Sequence, residues 1–288
     1  MKTLLDELTT AGLDPDALER QIAAALAEDA PGGDVTSEAT IPAGARGTAL
    51  FATREDGVVA GLGIAALVFH HVLGDDVEIT DRAPDGSRVS AGDVVMRVSG
   101  PTRGLLTAER TALNYASHLS GIATATAAWV DALSGTRARV LDTRKTLPTY
   151  RALHKYAVRC GGGVNHRFSL SDRAMVKDNH VVAAGGVVPA YDAVRAAYPG
   201  LRVEVEVTEL DQLPPLLDAG CTEVLLDNMD AATMVEAVRI TDGRATLEAS
   251  GGLTIERARE VAETGVDFIS VGALTHSVKV FDLGLDLR

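Results

Sequence analysis

Short apolar segments alternate with amphipathic segments along the second half of the chain. Each of these segments contains Val, Ile or Leu, and each of the first five precedes a stretch whose apolar residues recur with helical spacing. Strand-then-helix units of this kind predict parallel strands joined by right-handed crossovers. Because six such strands are fewer than the eight of a closed barrel, we predict an incomplete α/β barrel, with an open doubly wound sheet as the alternative. The six segments are ARVLDT, AMVKD, LRVEVEV, EVLLD, TLEAS and DFISV, and the helices predicted between them cover residues 150–158, 188–198, 210–219, 231–240 and 254–264.

The first half of the chain has a different pattern. A helix is predicted over Pro15–Glu28, and strand-like alternation follows in ARGTALFATRE and GDVVMRVSG, with glycine-rich turns between them. A long helical stretch, Thr107–Leu133, then links the two halves. We therefore predict an α/β protein with two domains. A smaller α+β sandwich covers residues 1–115, and the incomplete barrel covers residues 116–288, with a C-terminal tail that packs back on the first domain.

Composition assigns the chain to the ordinary globular proteins, with 46% apolar and 23% charged residues. The uncharged run over residues 57–74 is too rich in glycine and too short to predict a membrane span. Acidic residues interrupt the N-terminal MKTLLDELTT where a signal peptide would be apolar, so we expect a cytoplasmic protein with no membrane partner. The two cysteines, Cys160 and Cys221, have neither zinc-ligand nor disulfide-framework spacing.

The charge is distributed unevenly along the sequence. A net charge of −13 and a pI near 4.9 argue against nucleic acid as a partner. Residues 137–180 nevertheless contain ten Lys or Arg residues and only three acidic residues. A cationic segment within an acidic protein predicts a site for a small, highly anionic ligand, and a solvated helix face is the alternative.

Polar, charged or glycine residues stand at the C-terminal ends of all six predicted strands. In parallel α/β proteins, ligands bind beyond these strand ends. We therefore predict the ligand site at this rim. The residues, in chain order, are Thr143, Arg144, Lys145, Lys177, Glu206, Asp227, Ser250, Gly251, Gly252, Gly272 and Ala273.

Residue type divides these candidates into three groups. Two glycine turns, around Gly251 and Gly272, let backbone N–H groups approach a phosphate. Arginine and lysine side chains at the rim are suited to clamp carboxylates or phosphates. Four roles are open for Glu206 and Asp227. They could bind ribose hydroxyls, hold a divalent metal bridged by phosphate oxygens, stabilise a developing positive charge, or form salt bridges to the nearby cations. Glu204 lies a layer deeper and is predicted to be structural.

The segment DTRKTLPTYRALHKYAVRCGGGVNHRFSLSDRAMVKDNH resembles the core signature of the quinolinate phosphoribosyltransferases, also called carboxylating nicotinate-nucleotide pyrophosphorylases. The resemblance continues through ERTALNYASHLSGIAT, VEVEVTEL, EVLLDNM, EASGGLT and DFISVGALTHS. It implies transfer of a phosphoribosyl group from PRPP to the ring nitrogen of quinolinate. Pyrophosphate and CO₂ are released, and nicotinate mononucleotide is formed for NAD synthesis. The resemblance also implies Mg²⁺ as cofactor and the two-domain architecture predicted above.

The resemblance implies a role for each matching residue. It implies that Lys145, Glu206 and Asp227 are catalytic. Glu206 and Asp227 are also the candidate metal ligands. The partner subunit of a homodimer with shared sites contributes Arg110, and a higher homo-oligomer is an alternative. The quinolinate-facing residues are Arg110, Thr143, Arg144, His166, Arg167 and Lys177, and the PRPP-facing residues are Lys145, Glu206, Asp227, Ser250, Gly251, Gly252, Gly272, Ala273 and His276.

Two positions depart from the family pattern. Thr149 stands where the family usually has glycine, and Phe168-Ser169 replaces an aliphatic-glycine pair. We expect Thr149 to affect the rate rather than the class of reaction. The alternatives are a sister phosphoribosyltransferase acting on another aromatic acid and a non-catalytic protein that binds a phosphorylated ligand.

Overall fold

The computed structural model describes all residues from Met1 to Arg288. The α-helices are α1 Lys2–Thr10, α2 Pro15–Asp29, α3 Val35–Thr40, α4 Leu62–Leu73, α5 Thr102–Ala132, α6 Arg151–Cys160, α7 Asp178–Ala184, α8 Val187–Ala197, α9 Leu213–Asp218, α10 Ala231–Thr241, α11 Ile255–Glu263 and α12 Ala273–His276. The strands are β1 Arg46–Thr53, β2 Gly57–Val58, β3 Glu78–Thr80, β4 Arg88–Val89, β5 Val94–Pro101, β6 Arg139–Leu141, β7 Ala174–Val176, β8 Val203–Val207, β9 Glu223–Asp227, β10 Thr246–Ser250, β11 Phe268–Ser270 and β12 Leu283–Leu287.

The chain forms two compact units. The N-terminal unit contains residues 1–127, 152–162 and 277–288, and the C-terminal unit contains residues 128–151 and 163–276. The predicted domain boundary after residue 115 lies inside helix α5.

The N-terminal unit is built on a four-stranded antiparallel sheet in the order β12-β1-β5-β3. The C-terminal strand β12 pairs with β1, so the end of the chain belongs to this unit. The uncharged run noted in the sequence forms α4, whose residues from Leu62 to Phe69 are buried. No helix of the protein is both long enough and apolar enough to cross a membrane.

The C-terminal unit contains the six predicted strands as one parallel sheet, in the order β6-β11-β10-β9-β8-β7. The first and last strands, β6 and β7, do not pair with each other, so the barrel is incomplete. The predicted α/β fold class is confirmed.

Strand β8 shows why this sheet has a polar inner face. Val203, Val205 and Val207 are buried on the face against which helix α8 packs. Glu204 and Glu206 alternate with them and point to the opposite face. The register aligns Glu206 with Leu225 of β9, which in turn aligns with Glu248 of β10. Charged side chains of neighbouring strands therefore share the interior of the open barrel.

Two elements differ from the prediction, and a third matches it except in the type of its first turn. The long helix begins at Thr102 rather than at Thr107. Gly104 is a poor helix former, so the sequence pattern does not predict this first turn. Glycine is needed there for close packing, since a Cβ would lie 2.2 Å from Leu73 Cδ2. Helix α7, Asp178–Ala184, lies between the strand AMVKD and the helix expected over residues 188–198, where the sequence pattern predicts no helix. The helix predicted over residues 210–219 begins as a 3₁₀ turn, Leu210–Gln212, and continues as α9.

Candidate active site

Two adjoining cavities open at the C-terminal ends of the parallel strands. We call the smaller one, of about 310 Å³, the cation pocket, and the larger one, of about 460 Å³, the glycine cradle. Both belong to the C-terminal unit. The cation pocket is lined by Asp142, Thr143, Arg144, Lys145, His166, Arg167, Met175, Lys177, Leu225, Glu248, Ser250 and Ser270. The glycine cradle is lined by Thr143, Lys145, Lys177, Glu206, Asp227, Asn228, Ser250, Gly251, Gly252, Leu253, Ser270, Val271, Gly272, Ala273 and His276.

The segment after β6 carries the first cations into the site. Asp142 is fully buried and accepts hydrogen bonds from the His166 backbone N–H at 2.9 Å and from Asn165 Nδ2 at 2.6 Å. These bonds fix the segment that carries Arg144 and Lys145 against the segment that carries His166. The carbonyl of Lys145 also accepts from Thr275 Oγ1 at 2.8 Å. These hydrogen bonds therefore hold in place the backbone that carries Arg144 and Lys145.

Arg144 and Arg167 place two guanidinium groups close together. Arg144 Nε is buried without a hydrogen-bond partner, and Arg167 is 9% exposed. Burial, together with the neighbouring positive charge of Arg144, lowers the pKa of Arg167 below its ordinary value. Two adjacent cations that repel each other favour an anionic ligand between them. Two such cations suit a ligand that carries two negative charges, such as a dicarboxylate.

The turn after β10 presents backbone rather than side chains to the glycine cradle. Gly251 has φ +99°, and a Cβ at this position would lie 2.2 Å from Asn228 Oδ1. Asn228 itself has φ +53°, and its backbone N–H donates to the Ser250 carbonyl at 2.9 Å. Only glycine fits between these two neighbouring strand ends. The turn leads to α11, whose N-cap is Thr254.

The two carboxylates of the glycine cradle already have partners. Lys177 Nζ donates to Glu206 Oε2 at 2.6 Å, and Asn228 Nδ2 donates to Asp227 Oδ2 at 2.9 Å. Lys177 lines both cavities. The cation predicted to face quinolinate is thus paired with a carboxylate predicted to face PRPP.

A buried ionic network lies beneath the cation pocket. His166 Nε2 donates to Glu204 Oε2 at 2.8 Å, and Arg173 pairs with the other oxygen of Glu204 at 3.1 Å. Burial alone would raise the pKa of Glu204, but the hydrogen bond from His166 and the charges of His166 and Arg173 hold it below its ordinary value. Burial, and then the charge of Glu204, raise the pKa of Glu248 well above its ordinary value. The two shifts have opposite directions, so the negative charge of this pair is favoured on Glu204 rather than on Glu248.

Both parts of the chain match models of one protein family. The model described as quinolinate phosphoribosyl transferase, N-terminal domain, matches residues 34–120, and the corresponding C-terminal domain model matches residues 122–286. The chain belongs to the quinolinate phosphoribosyltransferase family. The family predicted from the sequence is therefore confirmed.

Known relatives agree with this membership. The chain is 52% identical to a carboxylating nicotinate-nucleotide pyrophosphorylase of Mycobacterium leprae, across 94% of this chain and 98% of the relative. It is 39% identical to a mitochondrial quinolinate phosphoribosyltransferase [decarboxylating] of Nicotiana tabacum, across 91% and 80% of the two chains. The solved nicotinate-nucleotide pyrophosphorylase of Francisella tularensis superposes with a TM-score of 0.92 at 39% identity, covering 96% and 98%.

The structure brings all but one of the sequence-predicted site residues to these two cavities. The exception is Arg110, which lies in the N-terminal unit, is exposed and lines neither cavity. The sequence places Arg110 near the start of the long helix, but this is wrong, because α5 begins eight residues earlier at Thr102.

The departure at Thr149 from the quinolinate phosphoribosyltransferase pattern has a visible backbone consequence. Thr149 has φ +66°, a left-handed conformation that a β-branched residue rarely adopts and that glycine adopts readily. Glycine at this position would adopt the same conformation without strain. The strained residue lies in the exposed connection between Lys145 and helix α6.

Sequence reasoning did not select Asp142, Glu248 and Ser270, which the structure places in the lining of the cation pocket. One signal was available for Glu248. It alternates with the apolar Leu247 and Ala249 in a strand of a parallel sheet, where residues on both faces are usually apolar. A carboxyl at such an inward position indicates a polar interior.

Proposed function

We propose that this chain transfers the phosphoribosyl group of PRPP to the ring nitrogen of quinolinate and removes the 2-carboxylate, forming nicotinate mononucleotide for NAD synthesis. One observation carries the proposal: a cavity lined by paired cations adjoins a cavity lined by glycine turns, and the two share lining residues. Such a pair of cavities can hold a dicarboxylate and a polyphosphate side by side. The shared wall consists of Thr143, Lys145, Lys177, Ser250 and Ser270.

The cation pocket binds quinolinate. Arg144 and Arg167 supply bidentate donors to the two adjacent carboxylates, and His166 and Thr143 complete the polar lining. The partner subunit's Arg110 adds a further cation. With both carboxylates held in this pocket, the ring nitrogen faces the shared wall. No general base is required, since the nitrogen attacks with its own lone pair.

The glycine cradle binds PRPP. The turn Ser250–Gly252 and the Gly272–Ala273 pair offer backbone N–H groups to phosphate oxygens, and Lys145 and His276 lie beside Gly272. Lys145 lines both cavities, so its ammonium group is placed to stabilise charge as the C1–pyrophosphate bond breaks. These groups hold the leaving pyrophosphate while the quinolinate nitrogen approaches C1.

Glu206 and Asp227 stabilise the ribose as it becomes positively charged. Both carboxylates line the glycine cradle. They lie on neighbouring strands of the sheet, Glu206 on β8 and Asp227 on β9. A negative charge that acts on a developing oxocarbenium ion lowers the barrier more than it strengthens substrate binding. Attack of the nitrogen on C1 then gives the pyridinium nucleotide.

The same two carboxylates fit Mg²⁺ carried by PRPP. Magnesium prefers one or two protein carboxylates together with phosphate oxygens of the substrate, and Glu206 and Asp227 provide that donor set next to the phosphate turns. Bound magnesium would neutralise charge on the leaving pyrophosphate. We further propose a cytoplasmic location, which the two free thiols support.

Isotope release tests the proposed reaction. We expect PRPP-dependent release of pyrophosphate and of ¹⁴CO₂ from quinolinate labelled in its 2-carboxylate. Pyrophosphate release with another aromatic acid, but no ¹⁴CO₂ from quinolinate, would indicate the sister transferase. Binding of PRPP without release of either product would indicate a binding protein.

We also propose a homodimer in which each active site receives Arg110 from the partner subunit. The exposure of Arg110 and its absence from the cavities of its own chain support this arrangement. A mixture of Arg110→Ala and Lys145→Ala chains tests it. Random exchange should restore about a quarter of wild-type activity, because each heterodimer regains one intact site of two. Heterodimers confirmed by mass but without activity would refute the shared site.

A further inference from the structure

The two guanidinium groups of the cation pocket must be held side by side before a ligand arrives. Burial, and then the positive charge of Arg144, lower the pKa of Arg167. Without a bound anion, the repulsion between the two cations favours their separation. The two residues lie on different segments, one after strand β6 and the other after helix α6. Their spacing therefore depends on contacts between these segments.

Arg151, the first residue of helix α6, joins the two segments. Its Nη1 donates to the carbonyl of Phe168 at 2.9 Å, and its Nη2 donates to the carbonyl of Arg144 at 3.4 Å. Its Nε donates to Thr146 Oγ1 at 3.3 Å. One planar guanidinium thus contacts the backbone of Arg144 and the backbone of the residue that follows Arg167.

The segment that contains Phe168 is also fixed from its other side. Asp172 accepts hydrogen bonds from the backbone N–H groups of Phe168 at 2.7 Å and of Ser169 at 2.9 Å. Burial alone would raise the pKa of Asp172, but these hydrogen bonds lower it to about 2. Ser169 Oγ donates to the same carboxylate at 3.0 Å, so the serine that departs from the family pattern adds a contact here. The Phe168 carbonyl is therefore a fixed point against which Arg151 holds the segment of Arg144.

Arg151 does not face either proposed substrate. It lines neither the cation pocket nor the glycine cradle, and its three hydrogen bonds all go to uncharged oxygens. A cation at the N-terminus of a helix is unfavourable to the helix dipole, and the first turn of α6 contains no acidic residue. The helix therefore gains nothing from this charge. The shape of the side chain explains its presence, since the planar fork of arginine donates in several directions at once.

We infer that Arg151 is a positioning residue that sets the distance between Arg144 and Arg167 and thereby adapts the cation pocket to a dicarboxylate. The inference rests on the proposed binding of quinolinate in this pocket. Two carboxylates on adjacent ring atoms require both guanidinium groups at one spacing, whereas a single carboxylate requires only one of them. Arg151 therefore favours the dicarboxylate over a monocarboxylate, because it maintains that spacing against the repulsion of the two cations.

Binding titrations with Arg151→Ala test this role without catalysis. The probes are phthalate, which carries two adjacent carboxylates but no ring nitrogen, and benzoate, which carries one carboxylate. We expect the variant to bind phthalate about 10-fold to 30-fold more weakly than the wild-type chain, as for loss of one or two orienting hydrogen bonds. The affinities for benzoate and for PRPP should change by less than about threefold.

Steady-state kinetics provide a second measurement on the same variant. Saturating quinolinate itself draws the two guanidinium groups of the pocket together. Arg151→Ala should therefore raise KM for quinolinate by about 10-fold and leave kcat within about threefold of wild type. Arg151→Lys should show the same defects, because an ammonium group is a point charge without the arginine fork. If Arg151→Lys binds phthalate as the wild-type chain does, charge alone is sufficient and the inference is wrong.

Arg244→Ala is the matched control. Arg244 also donates to backbone carbonyls, those of Ile240 at 3.2 Å and Thr241 at 3.4 Å, but it precedes β10, at the end of the sheet opposite both cavities. Its ratio of phthalate to benzoate affinity should equal that of the wild-type chain. If Arg151→Ala weakens the binding of both probes equally, or leaves phthalate binding unchanged, the inference is wrong. If the variants bind as expected but the wild-type chain releases no ¹⁴CO₂ from quinolinate, the proposed reaction fails and the role of Arg151 stands.

Thr146→Val provides a test that leaves Arg151 itself in place. This change removes the oxygen that accepts from Arg151 Nε but keeps the approximate shape of the side chain. We expect phthalate affinity to fall by about threefold to fivefold with benzoate affinity unchanged, as for loss of one hydrogen bond between neutral and charged groups. Equal loss of affinity for the two probes would refute the assignment.

Discussion

The cation pocket and the glycine cradle recognise charge by different means. The pocket presents long cationic side chains, such as Arg144 and Arg167, on an ionic network that includes Glu204. The cradle presents backbone in left-handed turns such as Gly251, where any side chain would collide with Asn228. Removing one cationic side chain from the pocket leaves its other side chains in place. The cradle depends on a backbone path that a single methyl group disturbs.

The largest effect is expected where the cradle uses a side chain. Asp227→Asn should reduce kcat by about 100-fold to 1000-fold, because its charge matters most when the ribose becomes cationic. Dissociation constants for both substrates, measured by titration, should change by less than about threefold. Asp230→Asn is the control, since Asp230 is an exposed helix cap three residues away that lines neither cavity. If Asp227→Asn weakens substrate binding but leaves kcat unchanged, Asp227 contacts the bound substrate and does not stabilise the transition state.

An intermediate effect is expected in the cation pocket. Arg144→Ala and Arg167→Ala should each weaken quinolinate binding by about 1.5–3 kcal/mol, or roughly 10-fold to 150-fold, through loss of charge-assisted hydrogen bonds. PRPP binding should change little. Separate calorimetric titrations of the two ligands measure the difference, with Arg239→Ala on the exposed face of α10 as control. If both ligands bind equally more weakly, Arg144 and Arg167 do not bind quinolinate selectively, and the two cavities do not differ in ligand as proposed.

The smallest effect is expected from a single methyl group in the cradle. Gly251→Ala forces a Cβ against Asn228 and strains a left-handed residue, so PRPP binding should weaken by about tenfold while quinolinate binding is retained. Gly243→Ala is the matched control, because Gly243 is also left-handed, at φ +73°, but has no atom within 4 Å of the added Cβ. If both variants bind PRPP equally well, the backbone turn does not contribute as described.

The sheet was predictable because its signal is local. Each strand, such as Val203–Val207, contains aliphatic residues and leads to polar or glycine residues at its C-terminal end, and its alternation with helices predicts the parallel topology. The rim residues follow from the same rule, since ligands lie beyond the ends of parallel strands. Helix α7 escaped prediction because its seven residues, DNHVVAA, carry no amphipathic pattern that distinguishes a helix from a connection.

The interior of the site could not be predicted in the same way. The pairing of Glu204 with Arg173 and the raised pKa of Glu248 depend on distances between strands that are far apart in sequence. The left-handed backbone at Asn228 and Thr149 likewise depends on tertiary packing rather than on residue type. Sequence identifies which groups reach the rim, and the three-dimensional register determines which of them are charged.

The shared wall makes the two substrates thermodynamically linked. Lys177 lines both cavities and pairs with Glu206, so a carboxylate that draws the ammonium group toward the cation pocket also changes the field experienced by the ribose. By reciprocity, whatever factor quinolinate applies to the affinity for PRPP, PRPP must apply to the affinity for quinolinate. The sign of this coupling determines whether the two ligands bind cooperatively, so the strength of the Lys177–Glu206 ion pair affects the affinity of both cavities.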